Sequence, residues 1–391
     1  MTKSRLLLSM MLAIGLVIFS ACGSRSGSGE DERGDRELEV VVFNTPEPAT
    51  PTSPPTATTE VEATLTPTSG PAATPTMTPT AALSRAKNEN PLTGLIVDDP
   101  IVLDQRPLHV RIGNDPQARP QVNLSQADIV YEEIVEWWIT RLTAIYYSEA
   151  PEVVGPIRSA RLINGQLTEQ YHAALVNSGG SDGVRWELSQ LPIVNLDEYF
   201  HPNPYFYREG EPWQRRLAIN LAEAHEYMTE EGMEAAVNLR GFAFDPEPPD
   251  GDSAETIYVD YPAKESKVLW TYNEDTSEYE RTVGGEPDID GATDEVISVP
   301  NVIIYFAEHN ETDIVEDSTG ATSVDINING EGDAWIFRDG IVVKGQWRTD
   351  GFETPEFLDN QGDLIPLHPG RSWIQVVPTD YDILIDEVPG A

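Results

Sequence analysis

Cysteine is all but missing: the 391 residues contain one, Cys22. A single thiol excludes a disulfide framework within the chain and any paired C-x-x-C redox or zinc site. Positive charge is scarce, with 25 Lys+Arg against 66 Asp+Glu and a net charge of −41. That balance argues against nucleic acid or an anionic lipid surface as partner. It is uneven as well: residues 84–249 carry 13 basic and 25 acidic side chains, and residues 250–391 carry 7 and 32. No G-x-S-x-G, H-E-x-x-H or Walker A sequence occurs, so hydrolytic and nucleotide chemistry find no recognisable signature. The six histidines stand in no metal-ligand spacing, and neither a metal nor a cofactor is expected. The acidic run Asp288–Glu295 lacks the twelve-residue EF-hand register.

What is present begins with an address. Lys3 and Arg5 precede an apolar stretch, Leu6 to Phe19, shorter than the roughly 20 residues a membrane span needs. Phe19-Ser20-Ala21-Cys22 then reads as a lipobox. The expectation is a lipoprotein signal peptide over residues 1–22 and a lipid on Cys22. That anchor would hold the chain at the cell membrane on its extracytoplasmic face. Residues 23–84 are dominated by Thr, Pro, Ala and Ser, too poor in apolar surface to fold, and are expected to form a disordered tether.

Periodicity then predicts an α+β protein. An N-terminal mixed α/β layered domain is expected over residues 85–249, followed by a β-rich antiparallel domain over 250–391. The Pro/Asp/Gly run Asp245–Asp252 marks the boundary. Arg106–Ile112 alternates like a strand, and Ile129–Glu136 and Ile139–Ser148 read as a hairpin turning near Trp137-Trp138. Those tryptophans form either a contact patch or a cover for the sheet. Asn329-Gly330 and Asp339-Gly340 are both type I′ hairpin signals. Glu132 and Glu136 would sit about 13 Å apart on a strand, too far for a glycosidase pair, with Glu133 facing the other way. Arg141 is the simpler partner for one of them.

The richest stretch runs from Val154 to Asp182. Gly155-Pro156 delivers Arg158, Ser159 and Arg161 to an expected helix start with Ser159 as N-cap, and the helix should end near Ala173. Ala174-Leu175-Val176 reads as a buried strand ending in Asn177-Ser178-Gly179-Gly180-Ser181. Arginines at a helix start beside a Gly/Ser loop make either a site for an anion or polar ligand, or a set of internal ion pairs and a turn. The motifs G-P-I-R-S-A-R, R-P-Q-V-N-L-S-Q-A-D-I-V-Y-E, N-P-L-T-G-L and G-D-A-W-I-F-R-D-G-I-V-V-K-G-Q-W occur here. With W-I-Q-V-V-P-T, they resemble the YerB-like bacterial lipoprotein family over about residues 90 to 380.

That resemblance implies two domains outside the cytoplasm and no established activity. It also shows departures: Gly113 and Asp115 stand where the family has Asp and His, and Asn177 and Ile219 stand where it has His. A mechanism that relies on a histidine base is therefore disfavoured. The candidate ligand-binding residues are Asn114, Arg119, Arg158, Ser159, Arg161, Ser178, Gly179, Gly180 and Ser181. The reading is a binding module at the envelope for a polar or anionic small molecule, or for a glycan. Its rivals are an envelope hydrolase using Glu132 or Glu136 with Arg158, and a structural assembly factor.

Overall fold

The structure, a computed structural model, describes residues 83–388. Cys22, the expected signal peptide and all but the last two residues of the expected tether lie outside the described residues. The fold is mostly sheet with few helices, an α+β arrangement with a β-rich C-terminal region.

Five strands of the main sheet come from the first half: β1 (Leu108–Gly113), β2 (Ile129–Ile134), β3 (Thr140–Tyr146), β4 (Ala174–Asn177) and β5 (Val194–Asp197). They do not form a sheet of their own. Ten strands of a twelve-stranded sheet run in the order Glu356–Leu358, Ile341–Thr349, Gly330–Arg338, Asn301–Val315, Ser372–Pro378, β2, β3, β1, β4, β5, with Thr322–Asn327 and Asp252–Ser253 joined off this path. The seam is parallel, with Ser372 opposite Ile129 through to Val376 opposite Glu133. Ser372–Pro378 is also parallel to Asn301–Val315, so the second half departs from the expected purely antiparallel pairing. A separate six-stranded sheet, built around Thr256–Val259, Val268–Asn273 and Glu278–Val283, is antiparallel throughout. The run Asp245–Asp252 is tied to the second half, because Arg338 donates to the Asp245 carbonyl at 2.8 Å and Asp252 pairs with Val342.

Side-chain alternation sends each strand's residues into two cores. On one face Leu108, Val110, Ile112, Val130, Leu142 and Trp373 meet the six-stranded sheet, where Trp270 packs edge-on to Trp373 at 5.4 Å. On the other, Ile129, Tyr131, Ile145 and Ile374 meet α1 (Ile163–Gln170) through Ile163, Leu167 and Tyr171. All six residues of β1 are buried because both of its faces are covered. α2 (Asp182–Ser189) packs Val184 and Leu188 on Leu175, and α3 (Leu221–Glu230) packs Leu221, Ala224 and Met228 into the first core.

Local chemistry explains the helix ends. Ser181 accepts from Val184 N at 3.3 Å to start α2, and Asn220 accepts from Glu223 N at 3.2 Å to start α3. α1 begins four residues after Ser159, which is not its N-cap. The backbone of 158–160 is already paired sideways: Arg158 N donates to Arg111 O at 2.9 Å and Ala160 N to Gly179 O at 2.9 Å. Asp339 and Gly340 both have positive φ and close a two-residue hairpin. At Asn329-Gly330 only the glycine does. The expected hairpin is absent there, because Thr322–Asn327 and Gly330–Arg338 each pair with Asn301–Val315 instead.

Candidate functional site at the carboxyl edge of the sheet

β2, β1, β4 and β5 point the same way, since β1 is parallel to β4, β4 is parallel to β5, and both β1 and β2 are antiparallel to β3. Their C-terminal ends therefore open on one edge, the place where such sheets leave a crevice for ligands. Glu136, Asn114, Ser178 and Glu198 all lie just beyond those ends.

Below the edge, β2 carries a buried charge on each face. Glu132, fully buried, accepts from Asn114 Nδ2 at 3.0 Å, Thr140 Oγ1 at 2.7 Å, Trp373 Nε1 at 3.1 Å and Arg281 Nη2 at 2.8 Å. Arg281 also pairs with Asp288 and lies 4.5 Å from the Trp373 ring centre. Burial works against the Arg281 charge, but Glu132 and Asp288 outweigh it and raise the Arg281 pKa. Asn114 is held in turn by Gln121 Nε2 and Arg119 Nε, each donating to its Oδ1 at 3.2 Å. Arg119 also donates to Glu265 O at 2.9 Å and lines a groove of about 490 Å³ with Pro120, Val283 and Asp288.

On the opposite face, buried Glu133 pairs with buried Arg111. Arg111 donates to Thr143 Oγ1 at 2.6 Å, and Asn164 Nδ2 to the same oxygen at 3.0 Å. Burial pushes the Glu133 carboxyl up to about 7, against the opposing pull of Arg111. Glu136 behaves differently. Burial would raise it, but Arg161 and Arg141 prevail and hold it below the usual carboxylate range. Arg161 grips Glu136 with both Nε and Nη2 and reaches Glu316 at 3.4 Å. Arg141 lies 3.5 Å from Glu136, and burial followed by the nearby Arg161 charge brings its pKa down to about 9.

The candidate residues divide into three groups. Arg158, Ser159 and Ser178–Ser181 are joined directly: Ser178 N donates to Arg158 O at 3.0 Å and Ser159 Oγ to Ser178 O at 3.2 Å. Gly179, at φ +74°, brings its backbone against the Arg185 guanidinium, and a Cβ there would lie 2.7 Å from Nη2. Asn114 and Arg119 belong to the Glu132 network. Arg161 belongs to the Glu136 network, and its positive charge is matched within the protein. Arg158 donates to Gln214 O at 2.5 Å and lies 3.7 Å from Asp115. The expected outcome is that Arg161→Ala lowers stability by about 2–3 kcal/mol. Arg158→Ala, at a partly exposed pair, costs under about 1 kcal/mol. Urea unfolding of the two variants checks the difference.

Sequence reasoning missed Arg111, Arg281 and Asp288 as network members. The available signal was Arg111 at an inward position of a strand buried on both faces. Asp290 takes no part in a cation site. Its oxygens accept from Asn123 N at 2.9 Å, Ser125 N at 2.8 Å, Ser125 Oγ at 2.7 Å and Ala292 N at 2.8 Å. Among the described residues no group of three or more His, Cys, Asp or Glu is placed to hold a metal ion.

Several large aromatic side chains near the ends of these strands are exposed. Trp137, Trp138, Tyr199, Phe200, Tyr207 and Trp213 are between 53 and 76 per cent exposed. Trp137 and Trp138 have φ of 66° and 60°, a strained region for bulky side chains. Tyr199 and Phe200 pack edge to face at 5.0 Å, with Arg185 over both rings. Tyr207 donates to Glu198 at 3.0 Å, and Glu198 accepts from Ser178 Oγ at 2.6 Å. Trp213 adjoins Gln214, whose carbonyl holds Arg158.

Two family descriptions match the chain: protein of unknown function (DUF3048), N-terminal domain, over residues 92–238, and its C-terminal domain over residues 257–374. The chain belongs to this YerB-like family. A relative from Bacillus subtilis (strain 168), YerB, is described as a candidate lipoprotein. It is 29% identical over 304 residues, covering 75% of this chain and 87% of that protein. The crystal structure of the YerB protein from Bacillus subtilis matches with a TM-score of 0.65 and 27% identity, covering 76% of this chain and 99% of that one. Of the departures from the YerB-like pattern noted above, Gly113, Asp115 and Asn177 fall at the carboxyl edge, while Ile219 is buried in the first core. Gly113 leaves room for Arg158, since a Cβ there would lie 3.1 Å from the Arg158 Nε. Asp115 faces Arg158, and Asn177 donates to Asn195 Oδ1 at 2.6 Å.

Proposed function

We propose that the protein is a lipid-anchored binding module of the cell envelope that holds a polar glycan segment along the carboxyl edge of its sheet. The observation that carries this reading is the set of exposed aromatic side chains that follow the ends of β2 and β5, bond to Glu198 or adjoin the residue bonded to Arg158. Flat rings stack on the apolar faces of sugars, and Glu198, Ser178 and Ser159 supply hydrogen-bonding groups beside them. Exposed aromatic clusters of this kind mark interaction sites rather than ordinary surface. The internal partners of Arg158 and Arg161 favour a neutral glycan over an anion. The lipobox ending at Cys22 and the description of YerB as a candidate lipoprotein support the anchor and the outward face. A division into modules near residues 85–249 and 250–391 fits the two family matches. A hydrolase would need a free, accessible carboxylate, whereas Glu132 is sealed from solvent and Glu136 is paired with Arg161 and Arg141.

The test uses the full chain and retention on insoluble envelope glycan. Trp213→Ala, and the pair Trp137→Gly with Trp138→Gly, should each weaken retention about tenfold while the melting temperature stays within a few degrees. Glycine accepts the positive φ at 137 and 138, so a loss there reports the rings and not the backbone. Undiminished retention in all three substitutions would refute the reading.

A further inference from the structure

A cavity of about 590 Å³ borders the second core and shares no lining residue with the candidate positions at the carboxyl edge. Three stretches build it: the segment carrying Arg85, Lys87 and Asp104, the stretch ending at Arg240, and the turn carrying Glu353 and Glu356. Its volume is that of a small-molecule site. Leu103, Leu239 and the Tyr147 ring give it an apolar floor.

Charge on the walls is unbalanced. Five carboxylates and three cations line the cavity, so it favours a positively charged occupant. The two guanidiniums already have acceptors, apart from Arg240 Nε, which is buried without one: Arg85 donates to the Arg240 and Phe242 carbonyls, and Arg240 donates to the Thr354 carbonyl and lies 3.3 Å from Glu356. On the carboxylate side, Glu353 Oε2 is buried and accepts no hydrogen bond, whereas Glu356 is already paired with Arg240 and, at 2.9 Å, with Arg348. Buried acceptors without donors are costly and call for a donor. An ammonium group offers three N–H donors and no acceptor.

We infer that this cavity binds a ligand carrying an aliphatic ammonium group, either a short diamine or a lysine-type side chain. The ammonium sits against Glu353, and the alkyl stem lies along Leu103, Leu239 and Tyr147. The site stands independently of the glycan reading. Calorimetric titration of the full chain with 1,5-diaminopentane and with Nα-acetyllysine should show saturable binding by both. Nα,Nε-diacetyllysine, which lacks the charge, should show none. Glu353→Gln should weaken the diamine about tenfold at an unchanged melting temperature, and Glu187→Gln on α2 should leave it unaltered. Three results would each overturn the inference: no saturable heat with either amine, equal binding of the diacetylated compound, or full affinity in Glu353→Gln.

Discussion

Arg281→Met is expected to lower the unfolding free energy by about 3–5 kcal/mol, because it strands two buried carboxylates without their counter-charge. Glu132 and Asp288 both face this guanidinium from sealed positions, and the indole N–H of Trp373 cannot replace a cation. The methionine has nearly the right length, so lost packing against Trp270 and Trp373 contributes little to the cost. Removing the stranded charges as well, with Glu132→Gln and Asp288→Asn, should recover most of the loss, as replacing a whole buried ion set often does. Urea midpoints of the single and triple variants measure this. A single-variant loss below about 1 kcal/mol would show that Arg281 is not the charge balance of the first core.

The second large effect is a dependence on pH. The Glu133 carboxyl titrates near 7 in the folded protein, above its ordinary value of 4.5. An acid whose folded pKa is raised binds a proton more tightly folded than unfolded. Its stabilising contribution is therefore complete below about 4.5 and disappears as pH climbs through about 7. The difference amounts to about 3 kcal/mol. Glu136, held low by Arg161 and Arg141, works in the opposite sense and at lower pH, so it does not mask this window. Wild-type protein should lose about 3 kcal/mol more stability than Glu133→Gln between pH 4.5 and pH 7. Parallel stability curves for the two proteins would mean that Glu133 does not titrate there.

Local pattern carried much of the fold. The alternation in Leu108–Ile112 and the Asp339-Gly340 turn each specify their element within a few residues. Pairing across distance left no such mark. Trp373–Val377 reads as a strand, yet nothing near it shows that its neighbour is β2, and this parallel contact merges the two halves into one sheet. The same limit governs the site. The sequence leaves open whether Arg158 and Arg161 are paired internally, because their partners, Gln214, Glu136 and Glu316, lie 25 to 155 residues away. Asn329-Gly330 has the composition of a hairpin turn, but Asn301–Val315 is long enough to pair with both flanking strands. The exposed aromatics were half legible. Trp137 and Trp138 stand out in the sequence, whereas the choice between a contact patch and a cover for the sheet turns on their exposure and left-handed backbone.

Hydrogen exchange of the full chain, with and without saturating neutral N-acetylated oligosaccharides, tests the binding face most directly. The account predicts slowed exchange at residues 135–139, 178–181, 198–200 and 207–216, and unchanged exchange in the six-stranded sheet. Protection confined to other segments, or none at saturation, would contradict it.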